Sequence, residues 1–520
     1  MDNETFKYSR YININQETRW ATVDEIKESC HHINLNTDFY DGDELHSGGG
    51  IPLLSNGQEA YVDNTDTHTL IFGATGSKKT RLFCMPLIDI LAKAGESFVV
   101  ADPKGELYEK TSGLAKANGY NIVVLNFRDI GKGDMWNPLS LPFDLYHNGS
   151  KEAAISIIND FIEAISAPLR NKSDDIYWTE MASAFALGNL YTLLECGDRD
   201  QCNIFNFSRL CSGHNVGMLR EFARIVGPNS IPGIQYSMVM NTPEKTFDCI
   251  LSTLFSMVRV FNTQPTLARM LSASSFDIRR FGREKTAVYV IVPDEKTTYH
   301  FLVTLFIKQV YEIQVEEAQR ERKRTLPIRL NFLLDEFCNI PTIPDMPAMV
   351  SAARSRNMRF YLVAQSMHQL TGKYKEDAET IKGNCENWIF LTSKELSLLN
   401  EISELCGTVY SSDHRPRRLI SVSELQRFDK SKGEALIMHG RQYPSISEFP
   451  DIESYPMFSG FEPVPFCQRK IPEIPYFMLE NLIFDIRHRN IAVPFSEGHY
   501  YGDDVSDLYR EDDEEDADFL

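Results

Sequence analysis

The thirteen residues from His68 to Thr80 constrain the fold of this chain more than any others. His68-Thr69-Leu70-Ile71-Phe72 leads into Gly73-Ala74-Thr75-Gly76-Ser77-Lys78-Lys79-Thr80, and an apolar pattern of helical period follows. A β-prone run, a glycine-bearing loop and a helix in immediate succession require a buried strand that opens at its carboxyl end onto a helix N-terminus. Other apolar runs fit the same scheme: Thr69–Phe72, Ser97–Ala101, Ile122–Asn126, Thr286–Val292, Ile328–Leu334, Arg359–Ala364, Trp388–Thr392 and Ala435–His439. They are short, rich in β-branched and aromatic residues, and separated by longer helical patterns. That rhythm predicts an α/β fold with a mostly parallel sheet in which all of these runs are buried central strands.

Between Lys151 and about Val260 the rhythm stops. Ala153–Ile165 and Tyr177–Leu194 space their apolar residues three and four apart, as amphipathic helices do. This predicts an all-α domain, 151–260, inserted into an α/β domain made of 67–150 and 261–448. Asp144–Ser150 and Phe261–Thr266 are the expected hinges. An N-terminal extension, 1–66, reads as polar and irregular, with Gly48-Gly49-Gly50 in a loop. A Pro-rich and then acidic C-terminal extension, 449–520, completes the chain.

Ten cysteines are scattered singly with no Cys-x-x-Cys pair, which argues against a zinc knuckle or a disulfide framework and fits a reducing cytoplasm. No run approaches the roughly 18 to 20 apolar residues of a membrane-spanning helix, and the N-terminus lacks a signal-peptide layout, so the chain is expected to be soluble. Its formal charge of -20 disfavours a protein that coats nucleic acid over its whole surface. The charge is uneven, however, because Asp503–Leu520 carries ten acidic residues and one arginine. That tail reads either as solvated ballast or as a recruiter of basic partners.

The octad Gly73–Thr80 has the spacing of a P-loop (Walker A). Glycines let backbone amides turn inward to cradle phosphate, Lys79 neutralises phosphate oxygens, and the Thr80 hydroxyl suits Mg²⁺. One position departs from the pattern: Lys78 stands where glycine is expected, and a side chain there strains a backbone that favours glycine unless it turns outward. Leu330-Asn331-Phe332-Leu333-Leu334-Asp335-Glu336 is an apolar run ending in two acids, the Walker B arrangement of an Asp for the Mg²⁺ shell and a Glu that polarises water. Gln365 closes the next run, where a terminal phosphate would lie. Arg354 and Arg356 precede that run and are candidates for an arginine supplied to a neighbouring subunit. Taken singly, the octad also fits a polar turn, and the acidic pair also fits a helix-capping turn.

Together these residues resemble the type IV coupling proteins, the TraG/TraD-type ATPases of conjugation and type IV secretion within the FtsK–HerA group. Asp102-Pro103-Lys104-Gly105-Glu106, Trp136-Asn137-Pro138-Leu139, Ala353-Arg354-Ser355-Arg356-Asn357 with Gln365-Ser366, and Arg418–Leu425 are similar to segments of that family, with Ala353 replacing its glycine. The resemblance spans roughly residues 66 to 445. It implies a RecA-like domain that binds ATP and Mg²⁺ in a homo-hexamer. It further implies recruitment of relaxase-bound single-stranded DNA, or of a protein substrate, to a type IV secretion channel. Arg354 becomes the better arginine-finger candidate and Gln365 the link between nucleotide state and ring. The helical insert would face the substrate. Its Tyr177, Trp178 and Tyr191 are read as core in preference to base-stacking platforms. Members of the family usually begin with transmembrane helices, for which this sequence has no candidate, so it is expected to be a cytoplasmic chain docked on a membrane partner at the inner face of the cell membrane, a member of a soluble subgroup, or a truncated form. Two other readings stay open: a nucleotide-binding platform that hydrolyses poorly because of Lys78, and a double-strand DNA translocase.

Overall fold

A computed structural model describes residues 18–36, 48–170, 175–212, 215–410, 415–456, 460–469 and 473–488. The acidic stretch 503–520 lies outside the described residues. The chain divides into two compact units, one comprising Met1–Pro138 with Arg269–Pro472 and the other Leu139–Ala268 with Glu473–Leu520.

A nine-stranded sheet forms the first unit. Across it the strands are Ser445–Glu448, Glu434–His439, Asn387–Phe390, Thr69–Phe72, Met358–Ala364, Leu330–Leu334, Ser97–Asp102, Thr286–Ile291 and Asn121–Asn126. From Asn387–Phe390 to Asn121–Asn126 every pairing is parallel, while the two strands at the opposite edge pair antiparallel. All the apolar runs read from the sequence are strands of this sheet, with ends displaced by two residues at most. Not all are central. Among the described residues Asn121–Asn126 is the last strand of the sheet, with only a bridge from Leu125 to Gly133 outside the named strands, and there Asn121 is exposed and Ile122 half-buried.

Alternation along the strands builds two apolar layers. Phe98, Val100, Tyr289, Leu333, Tyr361 and Val363 share one core with Leu82, Phe83, Met85, Leu87, Ile88 and Leu91 of the helical segment that follows the glycine-bearing loop. On the other face Phe332 stacks on Phe360 with ring centroids 4.7 Å apart, and Tyr311 of the helix His300–Arg320 lies 6.2 Å from the same ring. The segment before residue 66 is less irregular than its composition implies. Its described part forms an antiparallel sheet in the order His31–Asn34, Glu59–Asp63, Ile51–Ser55. Ile33, Ala60 and Val62 of that sheet bury against Ile90, Leu114 and Tyr455.

Beneath the amino ends of the central strands sits a charged cluster. Arg359 Nη2 pairs with Glu96 Oε2 at 2.6 Å, and both side chains are buried. Asn331 bridges them, donating to Glu96 Oε2 at 2.8 Å and accepting from Arg359 Nε at 2.9 Å. Gly49 N donates to Glu96 Oε1 at 3.1 Å, and Arg359 donates to the Gly49 and Thr65 carbonyls, so the glycine-rich loop is part of the cluster.

The second unit is helical. Lys151–Arg170 buries Ala154, Ile157, Ile158, Phe161, Ile162 and Ile165, a single stripe at three- and four-residue spacing. Tyr177–Cys196 is buried on most sides, and Tyr236 packs so closely that a Cβ on Gly188 would lie 2.6 Å from its ring. Tyr191 is core, whereas Tyr177 is exposed and Trp178 half-buried beside it. The expected hinges are largely helical instead, falling in Ser140–Asn148 and Glu244–Thr263, since their apolar residues outweigh the turn signals of Asn148, Gly149 and Pro265. Leu479–His488 adds a further helix, tied to Val216–Val226 by an Arg487–Glu221 pair at 2.7 Å.

Two stability tests follow from buried charge. Arg359→Met leaves Glu96 without its main counter-charge and is expected to lower unfolding stability by about 3 to 5 kcal/mol, read from the urea midpoint. Asp89 lies wholly buried in Met85–Lys93 with neither oxygen hydrogen-bonded and Lys93 Nζ 3.6 Å away; burial pushes its carboxyl up to about 7. A folded value above the unfolded one means that stability present below pH 4 is lost as pH rises through 7. Asp89→Asn is therefore neutral near pH 4 and stabilising by about 2 to 4 kcal/mol at pH 8, measured by denaturation at both values.

Candidate functional site

The loop Gly73–Thr80 springs from the buried strand Thr69–Phe72 and is stitched to the strands on either side. Gly73 N donates to Ala364 O at 3.2 Å, and Ala74 N donates to Thr392 O at 2.8 Å. Ser77 N closes the turn on Ala74 O at 3.0 Å. A Cβ at Gly73 would collide with Ser77 Oγ and crowd the Lys79 stem, so glycine lets both side chains keep their places in this cradle. Helix formation begins with a widened π-helical turn, Thr80–Cys84, and continues as the α-helix Met85–Lys93.

Lys79 is buried, and its ammonium donates to the Gly73 and Ala74 carbonyls of its own loop. Burial pulls Lys79 below its ordinary value, with Asp335 and Glu336 opposing. Ser77 Oγ is buried with no hydrogen-bond partner. An ammonium turned back on carbonyls and an unpartnered hydroxyl in a glycine-lined cradle fit a polyphosphate.

Thr80 Oγ1 donates to Asp335 Oδ2 at 3.2 Å, joining two residues far apart in the chain. Asp335 is buried at the end of Leu330–Leu334; burial and the neighbouring Glu336 push its carboxyl up to about 6, against Lys79 and hydrogen bonds from Glu336 N and Thr80. A hydroxyl and a carboxylate form an oxygen set suited to Mg²⁺ that keeps water and phosphate ligands, rather than a closed protein cage. Glu336 stands half-buried beside Asp335 at φ 52°, a left-handed conformation costing about 1 to 3 kcal/mol, and its carboxylate accepts from Asn339. Gln365, at the end of Met358–Ala364, accepts from Thr75 Oγ1 at 3.1 Å.

Arg354 is elsewhere. It precedes Met358–Ala364, whereas Gln365 follows it, so the arginine lies at the opposite, amino end of that central strand, a strand length of about 20 Å from its own loop. There it pairs with Asp66 at 3.1 Å and with Glu386.

Two acids that motif spacing does not mark also belong to the site. Asp102 ends the strand beside Leu330–Leu334, and its carboxylate accepts from Gly105 N at 2.9 Å and Tyr108 N at 2.8 Å, capping Glu106–Ala117. Burial pushes Asp102 up to about 6 despite those bonds. An acid four residues before a helix start was the available signal. Asp451, some 370 residues from the loop, accepts from Lys78 Nζ at 2.9 Å and from Arg81 Nε at 2.7 Å. No local pattern points to it. Lys78 itself adopts φ 66°. Its position does require a conformation that glycine favours, and its side chain turns outward to Asp451.

A family model described as "Type IV secretory system Conjugative DNA transfer" matches residues 19–416. The conjugal transfer protein TraG of Escherichia coli is 24% identical over 438 residues, covering 77% of this chain and 67% of TraG. Among solved structures, the plasmid coupling protein TrwB in complex with the non-hydrolysable ATP analogue ADPNP superposes with a TM-score of 0.59 at 13% identity, covering 88% of this chain and 97% of that one. TrwB in complex with ADP and Mg²⁺ gives 0.59 at 12%, covering 88% and 98%. Identities this low establish a shared fold.

The pairing of Thr80 with Asp335 yields a direct test. Asp335→Asn is expected to raise the Mg²⁺ concentration needed for half-maximal binding of a fluorescent ATP analogue by about tenfold or more, with no comparable change in Asn339→Ala.

Proposed function

This chain belongs to the type IV secretory system conjugative DNA transfer family, and from that premise we infer that it is an ATP-driven coupling protein that feeds relaxase-bound single-stranded DNA, or a protein substrate, to a type IV secretion channel. The observation that carries the reading is the hydrogen bond from Thr80 to Asp335, which brings the two halves of a nucleotide site together at the carboxyl ends of a parallel sheet. TraG is a conjugal transfer protein, and TrwB is a coupling protein solved with an ATP analogue and with ADP and Mg²⁺, which supports ATP and Mg²⁺ for this chain.

Each residue has a role that its position supports. Gly73, Ala74, Thr75, Gly76, Ser77 and Lys78 supply the backbone of the cradle, and Lys79 exchanges its loop carbonyls for phosphate oxygens. Thr80 and Asp335 hold Mg²⁺, which when bound neutralises charge on the phosphates. Glu336 orients the attacking water and takes up its proton. Gln365, touching Thr75, senses loop occupancy. Arg354 does not reach its own site, so it serves a neighbour's, which implies a ring. A homo-hexamer with each arginine completing the adjacent site accommodates this placement.

No helix among the described residues is long and apolar enough to cross a membrane. Peripheral attachment at the inner face of the cell membrane through channel components accords with that. A second reading, a recruitment platform that hydrolyses poorly, is favoured by one observation, the left-handed Lys78.

Phosphate release separates the two. Single-stranded DNA is expected to stimulate it, Lys79→Ala to abolish ATP binding, and Glu336→Gln to keep binding while slowing release about 100-fold or more. Release that survives both substitutions sinks the assigned roles, and binding without DNA-stimulated release favours the platform.

A further inference from the structure

We propose that Asp451 is a positioning residue for the phosphate loop: it holds Lys78 in the left-handed backbone that the loop requires and keeps the Lys78 ammonium out of the cradle formed by Gly73, Ser77 and Lys79. The proposal rests on the reading of Gly73–Thr80 as a nucleotide site.

Lys78 has φ 66°, a conformation that side chains bearing a Cβ rarely adopt unaided. Something outside the loop has to maintain it. One carboxylate meets that need: Asp451 Oδ2 accepts from Lys78 Nζ at 2.9 Å while Oδ1 accepts from Arg81 Nε at 2.7 Å. Lys78 and Arg81 stand three residues apart where the helix begins, so the carboxylate spans the junction of loop and helix. Arg81 also pairs with Glu453.

An exposed ion pair is ordinarily weak because both side chains must be ordered. Here the acid is ordered already. Asp451 Oδ1 accepts from Ile452 N at 2.8 Å, and Phe449 packs on Phe83 with ring centroids 4.6 Å apart. Phe449 and Ile452 share the buried core with Leu82 and Phe83, the residues that follow Arg81. Acid and helix start are thus fastened to the same apolar cluster. Partial burial pushes the Asp451 carboxyl up, but the hydrogen bonds from Lys78 and Arg81 outweigh it and hold the group at about 2, so it is charged throughout the neutral range.

Without the carboxylate, Lys78 is free to relax to a right-handed backbone, which turns the adjoining amides away from the cradle, or to swing its ammonium inward. A glycine at this position meets neither problem. Asp451 should therefore matter only while residue 78 is lysine.

The experiment is a double-mutant cycle on the full chain: the unaltered protein, Asp451→Asn, Lys78→Gly and the double variant, each titrated with mant-labelled ATP and Mg²⁺. Asp451→Asn is expected to weaken binding about fivefold to tenfold when residue 78 is lysine and less than about twofold when it is glycine. It should raise KM for ATP more than it lowers kcat, with all four melting temperatures within about 3 °C of one another. Equal losses in both backgrounds, no loss in either, or a loss that tracks a lowered melting temperature overturns the proposal while leaving the nucleotide site intact. Failure of the unaltered protein to bind the analogue removes the nucleotide reading, and this proposal with it.

Discussion

The buried pair of Glu96 and Arg359, 2.6 Å apart, is the interaction on which the geometry of the α/β unit depends. With Asn331 it links the amino ends of three adjacent strands, Ser97–Asp102, Leu330–Leu334 and Met358–Ala364. Parallel strands clamped in register at one end deliver their other ends in register too. Gln365, Asp335 and Asp102 accordingly emerge in that order on successive strands, with Gly73 beside Gln365, and Asn331 stands opposite Arg359 in the ladder. Burying these charges is costly, and the cluster is tolerable because carbonyls and an amide of the Gly49 and Thr65 segments satisfy the remaining donors and acceptors.

At the carboxyl end the balance of charge is different. Asp335 and Glu336 lie near one buried ammonium, Lys79, with Asp102 near Asp335, and burial raises both aspartates to about 6. A divalent cation would relieve that crowding, and under the proposed function phosphate oxygens would take the place of the loop carbonyls that Lys79 now contacts. The site is thus arranged for a ligand that brings both signs of charge. Left-handed backbone at Lys78 and Glu336 places local strain on either side of the reacting position, where surrounding structure has to hold it.

The interior strands were legible because burial on both faces demands unbroken apolar, β-branched runs, as in Leu330–Leu334 and Met358–Ala364. Ser445–Glu448 escaped notice because an edge strand with the sequence Ser-Ile-Ser-Glu has no such demand. His31–Asn34, Ile51–Ser55 and Glu59–Asp63 escaped because each is short and flanked by polar turns, so their stability comes from packing on Ile90, Leu114 and Tyr455. Glu96 and Arg359 gave no signal at all. Charged residues at strand starts look like ordinary solvated positions until their partners are known.

What the amino-acid sequence determined by itself is everything with a short range: the strand, loop and helix around Gly73–Thr80, the acids closing an apolar run, and the period of the helical segments. These follow from backbone geometry and from the spacing of apolar side chains over a few residues. Only the tertiary structure decided that Thr80 meets Asp335, that Arg354 sits at the opposite, amino end of the strands with Asp66 and Glu386, and that Asp451 takes hold of Lys78. Each is a contact between charged or polar groups hundreds of residues apart or on separate strands. Coulomb attraction depends on distance in space, and only packing of the sheet and its helices sets that distance.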